Sequence, residues 1–183
     1  MEALTALLTR ASAARLSDPG PTDDQLRTIL NAAANAPDHG RLRPWRFLAV
    51  RGGARVKLGQ VFADALSRRE PGSTAQAIEA ERKKAERAPL IIVVSAELQS
   101  HPKVPNIEQI IAVGAATQNI LLAVHALGFG AFWRTGPAAY DDFVREQLSM
   151  PPTETIVGFV YVGTLAAPLP ERKPADSFPL RFL

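Results

Sequence analysis

The sequence predicts a layered domain of mixed α and β structure, with helices packed on a sheet of four or five strands. Three observations lead there. Short apolar runs rich in β-branched residues, such as PLIIVVSA and ETIVGFVYVGT, alternate with longer stretches of helical periodicity. One of those stretches, Asn106 to about Leu127, is apolar nearly all round, as a buried helix is. The chain has 183 residues, 46% hydrophobic and 21% charged, which suits one domain (1–183) with a real core.

In chain order, a first helix is expected over residues 2–11, where Leu4, Leu7, Leu8 and Ala11 follow the i, i+3, i+4, i+7 pattern. SDPGPT breaks it. Thr22 is a candidate N-cap with Gln25 as its reciprocal partner. The helix it opens carries Leu26, Ile29, Leu30 and Ala33 on one face and stops at Pro37. WRFLAV (45–50) reads as a strand and Gly52-Gly53 as a turn. Two charged amphipathic helical stretches follow, near 54–69 and 74–87, separated by EPGS. PLIIVVSA (89–96) fits a strand covered on both faces.

The long helix has Asn106 as its candidate cap, Gln109 at N3 and Gly128 as its stop, and is expected to be buried in the core or against another subunit. GAFWRT (130–135) is a short strand, a helix near 139–148 ends at Pro151-Pro152, and 154–164 is the strongest strand pattern in the chain. The tail from Ala166 is proline-rich and closes on Phe178, Leu180, Phe182 and Leu183. Such an arm docks on a second subunit or packs on its own sheet.

Composition removes several classes of function. The absence of cysteine excludes disulfides, thiolate zinc sites, cysteine-ligated clusters and a cysteine nucleophile, and fits a reducing, cytoplasmic setting. No secretory signal and no membrane span are expected. The net charge of +3 is dispersed, and the clusters Arg68-Arg69 and Arg82-Lys83-Lys84 read as solvated helix faces rather than a nucleic-acid stripe. There is no G-x-S-x-G elbow, and His39, His101 and His125 lack metal-ligand spacing, so no metal site is expected. Gly128-Phe129-Gly130 follows a helix and enters a strand, the reverse of a dinucleotide fingerprint.

Three stretches are candidates for chemistry. In TRASAAR, Arg10 and Ser12 offer a planar fork of donors and a hydroxyl to an anion, although cations are also common at helix ends. In NAPDHGRLRPW, Pro37 and Pro44 restrict the backbone, Gly40 frees it for a turn, Asp38 suits a turn and His39 suits either a ligand or a nearby carbonyl. Taken alone, the loop is an ordinary connector. In GFGAFWRTG, Trp133, Arg134 and Thr135 gather an aromatic plane, a cation and a hydroxyl, which suits a flat, partly anionic ligand. Strand alternation sends Trp133 and Thr135 to one face and Arg134 to the other.

LLTRASAARL, APDHGRLRPWRF, RAPLIIVV, LGFGAFWRTG and IVGFVYVGT fall in order across nearly the whole chain, and as a set they resemble the nitroreductase family of FMN-dependent oxidoreductases. The resemblance implies an α+β fold with a central mixed, mostly antiparallel sheet flanked by helices, and an intertwined homodimer with FMN at the subunit interface. It implies FMN contacts from Arg10, Ala11 and Ser12, from Asn35 and His39, and from Trp133, Arg134 and Thr135. It further implies NADH or NADPH binding by Ala123, Val124, His125, Ala126, Leu127 and Gly128, a stretch that independently reads as the end of a buried helix. The implied activity is ping-pong reduction of nitro compounds, quinones or a related small acceptor by NAD(P)H, with the 54–87 region covering the acceptor pocket. Other flavin chemistry and a non-catalytic flavin- or partner-binding dimer are the alternatives.

Two positions depart from the family's usual pattern. Ala11 stands where a second basic residue is common, and Asn35 where arginine often occurs. Both remove positive charge near the expected cofactor, and Arg15, Arg41, Arg43 and Arg172 are the candidate replacements.

Overall fold

The computed structural model describes residues 1–171 and 179–183, so Arg172 and Phe178 lie outside the described residues. The elements are α1 (Ala3–Thr9), β1 (Leu16–Ser17), α2 (Asp23–Ala34), β2 (Trp45–Arg51), α3 (Gly53–Arg69), α4 (Ala75–Arg82), β3 (Leu90–Glu97), α5 (Asn106–Ala126), β4 (Gly130–Arg134), α6 (Asp142–Gln147) and β5 (Glu154–Leu165). The strand order is β1-β5-β3-β2, with β4 also paired to β5, and every pair is antiparallel.

Alternation along β3 and β5 divides the interior in two. Leu90, Ile92, Val94, Val160 and Val162 face a core closed by Ile29 and Ala33 of α2 and by Val113, Ile120 and Val124 of α5. Ile91, Val93, Phe159 and Tyr161 face a second core closed by Leu58 and Phe62 of α3 and Val144 of α6. Phe62 meets Phe159 edge-on, with ring centroids 5.2 Å apart. The result is a helix–sheet–helix sandwich, and the continuous apolar runs of β3 and β5 reflect burial on both faces.

α5 has 21 residues and is long and apolar enough, by length and composition, to cross a membrane. Its buried positions pack between α2 and the sheet, as in the core helix of a layered domain. Its other side leaves Ile107 and Ile111 exposed, and Leu4 and Leu8 of α1 are exposed as well.

Several sequence expectations need correction. α1 ends at Thr9 rather than residue 11: Arg10 turns extended, at φ −59° and ψ 125°, while its N–H still donates to Ala6. The cap of α5 is Pro105, not Asn106. Gln109 is drawn inward instead, accepting from the Gln99 N–H (2.9 Å) and donating to the Gln99 carbonyl (2.8 Å). The stretch 74–87 divides into α4 and a 3-10 turn, Lys83–Glu86. The expected helix at 139–148 divides into a 3-10 turn, Pro137–Tyr140, and the short α6, because the Asp141 carboxylate takes the Phe143 N–H and starts a new helix. The two-residue β1 was not anticipated.

The expected capping box of α2 is present: Thr22 Oγ1 accepts from Gln25 N–H (3.3 Å), and Gln25 Oε1 accepts from Thr22 N–H (2.9 Å). Thr22→Ala removes one of these two bonds and is expected to lower stability by about 1 kcal/mol in urea denaturation. A change below the error of the measurement would show that α2 is held by its packing alone.

Candidate functional site

β4 ends in the Trp133–Thr135 triplet, and its pairing with β5 decides which way each side chain points. Trp133 lies opposite Val160 and Arg134 opposite Phe159. The Trp133 indole therefore packs against the core under α2 and α5, while Arg134 turns to the α3 side and places its guanidinium 3.9 Å from the centre of the Phe132 ring. Alternation had separated these two residues in the same way. Gly158 makes room for the indole: a Cβ there would stand 2.2 Å from Trp133 Nε1 and 2.9 Å from the Arg134 carbonyl oxygen.

On the α3 side, the end of β4 opens into a cleft of about 380 Å³. Phe62, Phe132, Phe159 and Tyr161 give it aromatic walls, and Lys84, Arg87 and Arg134 line it with cations. Segments of the 54–87 region thus border the Trp133–Thr135 end of β4. α4 can approach this closely because Gly59 has no side chain: a Cβ on Gly59 would stand 2.5 Å from the Arg82 carbonyl oxygen.

Lys84 belongs to the Arg82-Lys83-Lys84 run, which reads in the sequence as a solvated helix face. That reading holds for Lys83, which is 67% exposed, and fails for Lys84, which faces the cleft and pairs with Glu81. The signal was hidden because the residues opposite it, on β4 and β5, are distant in sequence.

Arg10, Ala11 and Ser12 follow α1 in an extended segment. The Ala13 N–H donates to the Ala131 carbonyl (2.9 Å), so this segment runs beside β4. A second groove, about 340 Å³, lies between Ser12–Arg15 and the start of the tail at Ala167–Pro170. Arg15 also lines this groove.

At the end of α1, Thr9 Oγ1 lies 2.9 Å from His125 Nε2 and donates to the Thr5 carbonyl (2.7 Å). With its proton engaged there, the Thr9 hydroxyl accepts from His125, which places the proton of the neutral ring on Nε2. Partial burial, and then the nearby Arg10 charge, hold the His125 pKa below the usual histidine value. The 10–12 and 123–128 segments therefore meet at the last turn of α5. Val124 is buried in the core, while Ala126, Leu127 and Gly128 lie at the surface.

The loop after α2 stands elsewhere. Asp38 forms the expected turn, its carboxylate accepting from the Arg43 N–H (2.6 Å), and Gly40 adopts φ 74°. Gln99 Nε2 donates to the Leu42 carbonyl (3.0 Å), which ties the loop through Gln99 to the buried Gln109. His39 Nδ1 pairs with Glu108 in the first turn of α5. Asn35, at the end of α2, gives its amide to the Asn31 carbonyl (2.7 Å).

From Glu108 to His125 is seventeen residues of α5, about 26 Å at the helical rise. One chain thus brings Arg10–Ser12 beside β4 but holds His39 at the far end of its longest helix. Arg41 and Arg43 share that far location.

The sequence pattern of the Nitroreductase family matches residues 7–164. The Escherichia coli K12 protein named "Putative NAD(P)H nitroreductase YdjA" is 40% identical over 164 residues, 90% of this chain and 88% of that one. A Haemophilus influenzae protein named "Putative NAD(P)H nitroreductase" is 34% identical over 165 residues, 90% and 89% of the two chains. A Bacillus cereus nitroreductase-like crystal structure has the same fold, with a TM-score of 0.85, 24% identity, and 97% and 92% coverage. A Desulfovibrio desulfuricans protein described as "a putative nitroreductase in complex with fmn" superposes with a TM-score of 0.73, 25% identity, and 97% coverage of each chain.

Two measurements check this geometry. Gly158→Ala forces the Trp133 indole and the β4 backbone apart and is expected to cost about 1–3 kcal/mol, with a shift in tryptophan emission; unchanged emission would contradict the packing described. Because the folded-state pKa of His125 is lowered, the unfolded chain binds its proton more readily. Stability is then fully present above about pH 6.5 and declines as pH falls toward the folded value. His125→Gln is expected to flatten the fall in melting temperature between pH 7.5 and 5.5, and parallel curves for the two proteins would reject that linkage.

Proposed function

The chain belongs to the nitroreductase family, and from that premise we propose that it is an FMN-dependent oxidoreductase. It takes electrons from NADH or NADPH and passes them to a nitro compound, a quinone or a related small acceptor, one substrate leaving before the next enters. The observation that carries this reading is the placement of Arg10–Ser12 alongside the strand that ends in Trp133–Thr135. A cationic fork with a hydroxyl suits a phosphate, and an aromatic, cation-lined cleft suits a flat ring. The FMN complex of the Desulfovibrio relative supports it.

Bound FMN supplies the hydride and electron chemistry. The chain's part is to bind, orient and shield. Arg10 and Ser12 hold the phosphate, and Trp133 and Thr135 border the ring. The cations of the adjacent cleft, Lys84, Arg87 and Arg134, favour the negative charge that accompanies reduction. α3 and α4 cover the acceptor side and limit water. Ala11 and Asn35 contribute no charge.

The reading includes a homodimer. His39 reaches the same cofactor as Arg10 only if a second chain presents its loop, which Asn35 opens, since within one chain α5 keeps Glu108, the partner of His39, about 26 Å from His125, which lies by Arg10. Leu4, Leu8, Ile107 and Ile111 are exposed apolar side chains of the kind an interface covers, and the Phe182 ring at the tail's end is 87% exposed, with its own sheet leaving it unpacked.

Purified protein should be yellow, or become so with added FMN, and should bleach under anaerobic NADH or NADPH. A protein that cannot take up FMN ends the enzyme reading, and one that binds FMN without bleaching favours a flavin-binding module. Arg10→Ala is expected to weaken FMN binding by about 1.5–3 kcal/mol, roughly ten- to a hundredfold in Kd. Unchanged affinity removes Arg10 from the phosphate site.

A further inference from the structure

The Arg10–Ser12 segment is suspended between two anchors. On its C-terminal side, the Ala13 N–H donates to the Ala131 carbonyl (2.9 Å) and fixes it to β4. On its N-terminal side the anchor is α1, and α1 is weakly held by its own chain. It has seven residues, no side chain caps its N-terminus, and Ala6 is its one buried residue. A helix this short does not persist on its own hydrogen bonds. Leu4 and Leu8 are exposed, so apolar packing within the chain does not make up the difference.

The end of α1 is tied down by the Thr9 hydroxyl, which donates to the Thr5 carbonyl and accepts from His125 Nε2 at 2.9 Å. His125 is a firm point of attachment. It follows Val124, which is fully buried in the core shared by α2 and α5. The turn after it is closed by the Gly128 N–H on the His125 carbonyl (3.0 Å) and the Phe129 N–H on the Val124 carbonyl (3.0 Å).

Arg10 is the residue next to Thr9. Its N–H donates to the Ala6 carbonyl (3.1 Å), and its backbone then turns extended. The direction in which Arg10 leaves the helix therefore depends on how the last turn of α1 is seated on α5. A guanidinium fork binds an anion well only when it is aligned with it. Holding the fork in place before the anion arrives removes an ordering cost from binding. His125 Nε2 is committed to Thr9, a role separate from the nicotinamide contact that the family resemblance implies.

We propose that His125 is a positioning residue for the anion site: through Thr9 it seats the last turn of α1, and so holds Arg10 and Ser12 in the geometry that receives the phosphate of FMN. That the anion is a flavin phosphate rests on the flavoenzyme reading above; the anchoring itself does not.

Three variants test it. His125→Ala removes the donor, Thr9→Val removes the acceptor, and His125→Gln keeps an N–H at the place of Nε2. At about pH 8, above the usual histidine value, the ring is neutral and its charge plays no part. Amide hydrogen exchange on the flavin-free protein should show severalfold faster exchange at Arg10 in His125→Ala and Thr9→Val, with Ala13 unchanged. In fluorescence titration both variants should bind FMN about three- to tenfold more weakly, as expected for one lost hydrogen bond. Riboflavin, which has no phosphate, should bind as it does to the wild type. His125→Gln should recover most of the FMN affinity.

Unchanged exchange at Arg10 in His125→Ala overturns the proposal whether or not flavin binds. Undiminished FMN affinity overturns it too, as does an equal loss of FMN and riboflavin, the mark of a merely structural contact. A glutamine variant no better than the alanine variant has the same force. A protein that takes up neither flavin ends the flavoenzyme reading; inorganic phosphate then replaces FMN as the probe, and undiminished phosphate binding by His125→Ala overturns the positioning role.

Discussion

The pairing of β4 with β5 is the constraint on which the rest of the site depends. β5 is bonded to β1, β3 and β4, and both of its faces are buried, so its register cannot slip by one residue without exchanging the two cores. That register sets Trp133 against the α2/α5 core and Arg134 against Phe132 on the other face. It also turns Tyr161 toward Arg134, since Tyr161 is on the same face of β5 as Phe159, the partner of Arg134. A single alternation thus produces an aromatic wall on one side and a cationic cleft on the other. Gly158 contributes the remaining condition, because no side chain fits between the β5 backbone and the indole.

α5 imposes the second constraint. It is the spacer between two clusters, Thr9–His125 with Arg10 at its last turn and His39–Glu108 at its first. Both ends are anchored by polar contacts rather than by apolar packing alone. At the first turn the buried Gln109 holds Gln99, and Gln99 in turn holds the 35–43 loop through Leu42. A rigid helix of this length fixes the separation of the clusters, so the division of cofactor contacts between two chains in the proposed dimer follows from helical geometry.

Much of this was legible locally. The Thr22–Gln25 box, the Asp38 turn and the opposed faces of Trp133 and Arg134 all follow from spacings of one to five residues. The failures share a cause. β1 has two residues and no periodicity, and it exists because Leu165 and Thr164 offer it partners. Asn106 and Gln109 had the spacing of a capping box, but Pro105 takes the cap position and the Gln99 backbone draws Gln109 inward. Lys84 looked like a solvated charge because most of its aromatic surroundings lie about fifty to eighty residues further along the chain. Contacts across the sheet carry no signal in a short window of sequence.

The location of charge gives the uncharged Ala11 and Asn35 a physical context. Losing a cation at either position weakens attraction at a site meant for an anion, but the energetic consequence depends on solvent exposure. Asn35 is exposed, and a charge there would be screened by water and salt. Arg134 is half-buried over an aromatic ring, and Tyr161 beside it is almost fully covered. Charge in that cleft acts through a lower effective dielectric and does more work per residue on a ring or acceptor bound there. In the proposed enzyme, positive potential is therefore concentrated at the electron-transfer end, where it bears on what is reduced. At the loop it would chiefly have raised the affinity for the cofactor.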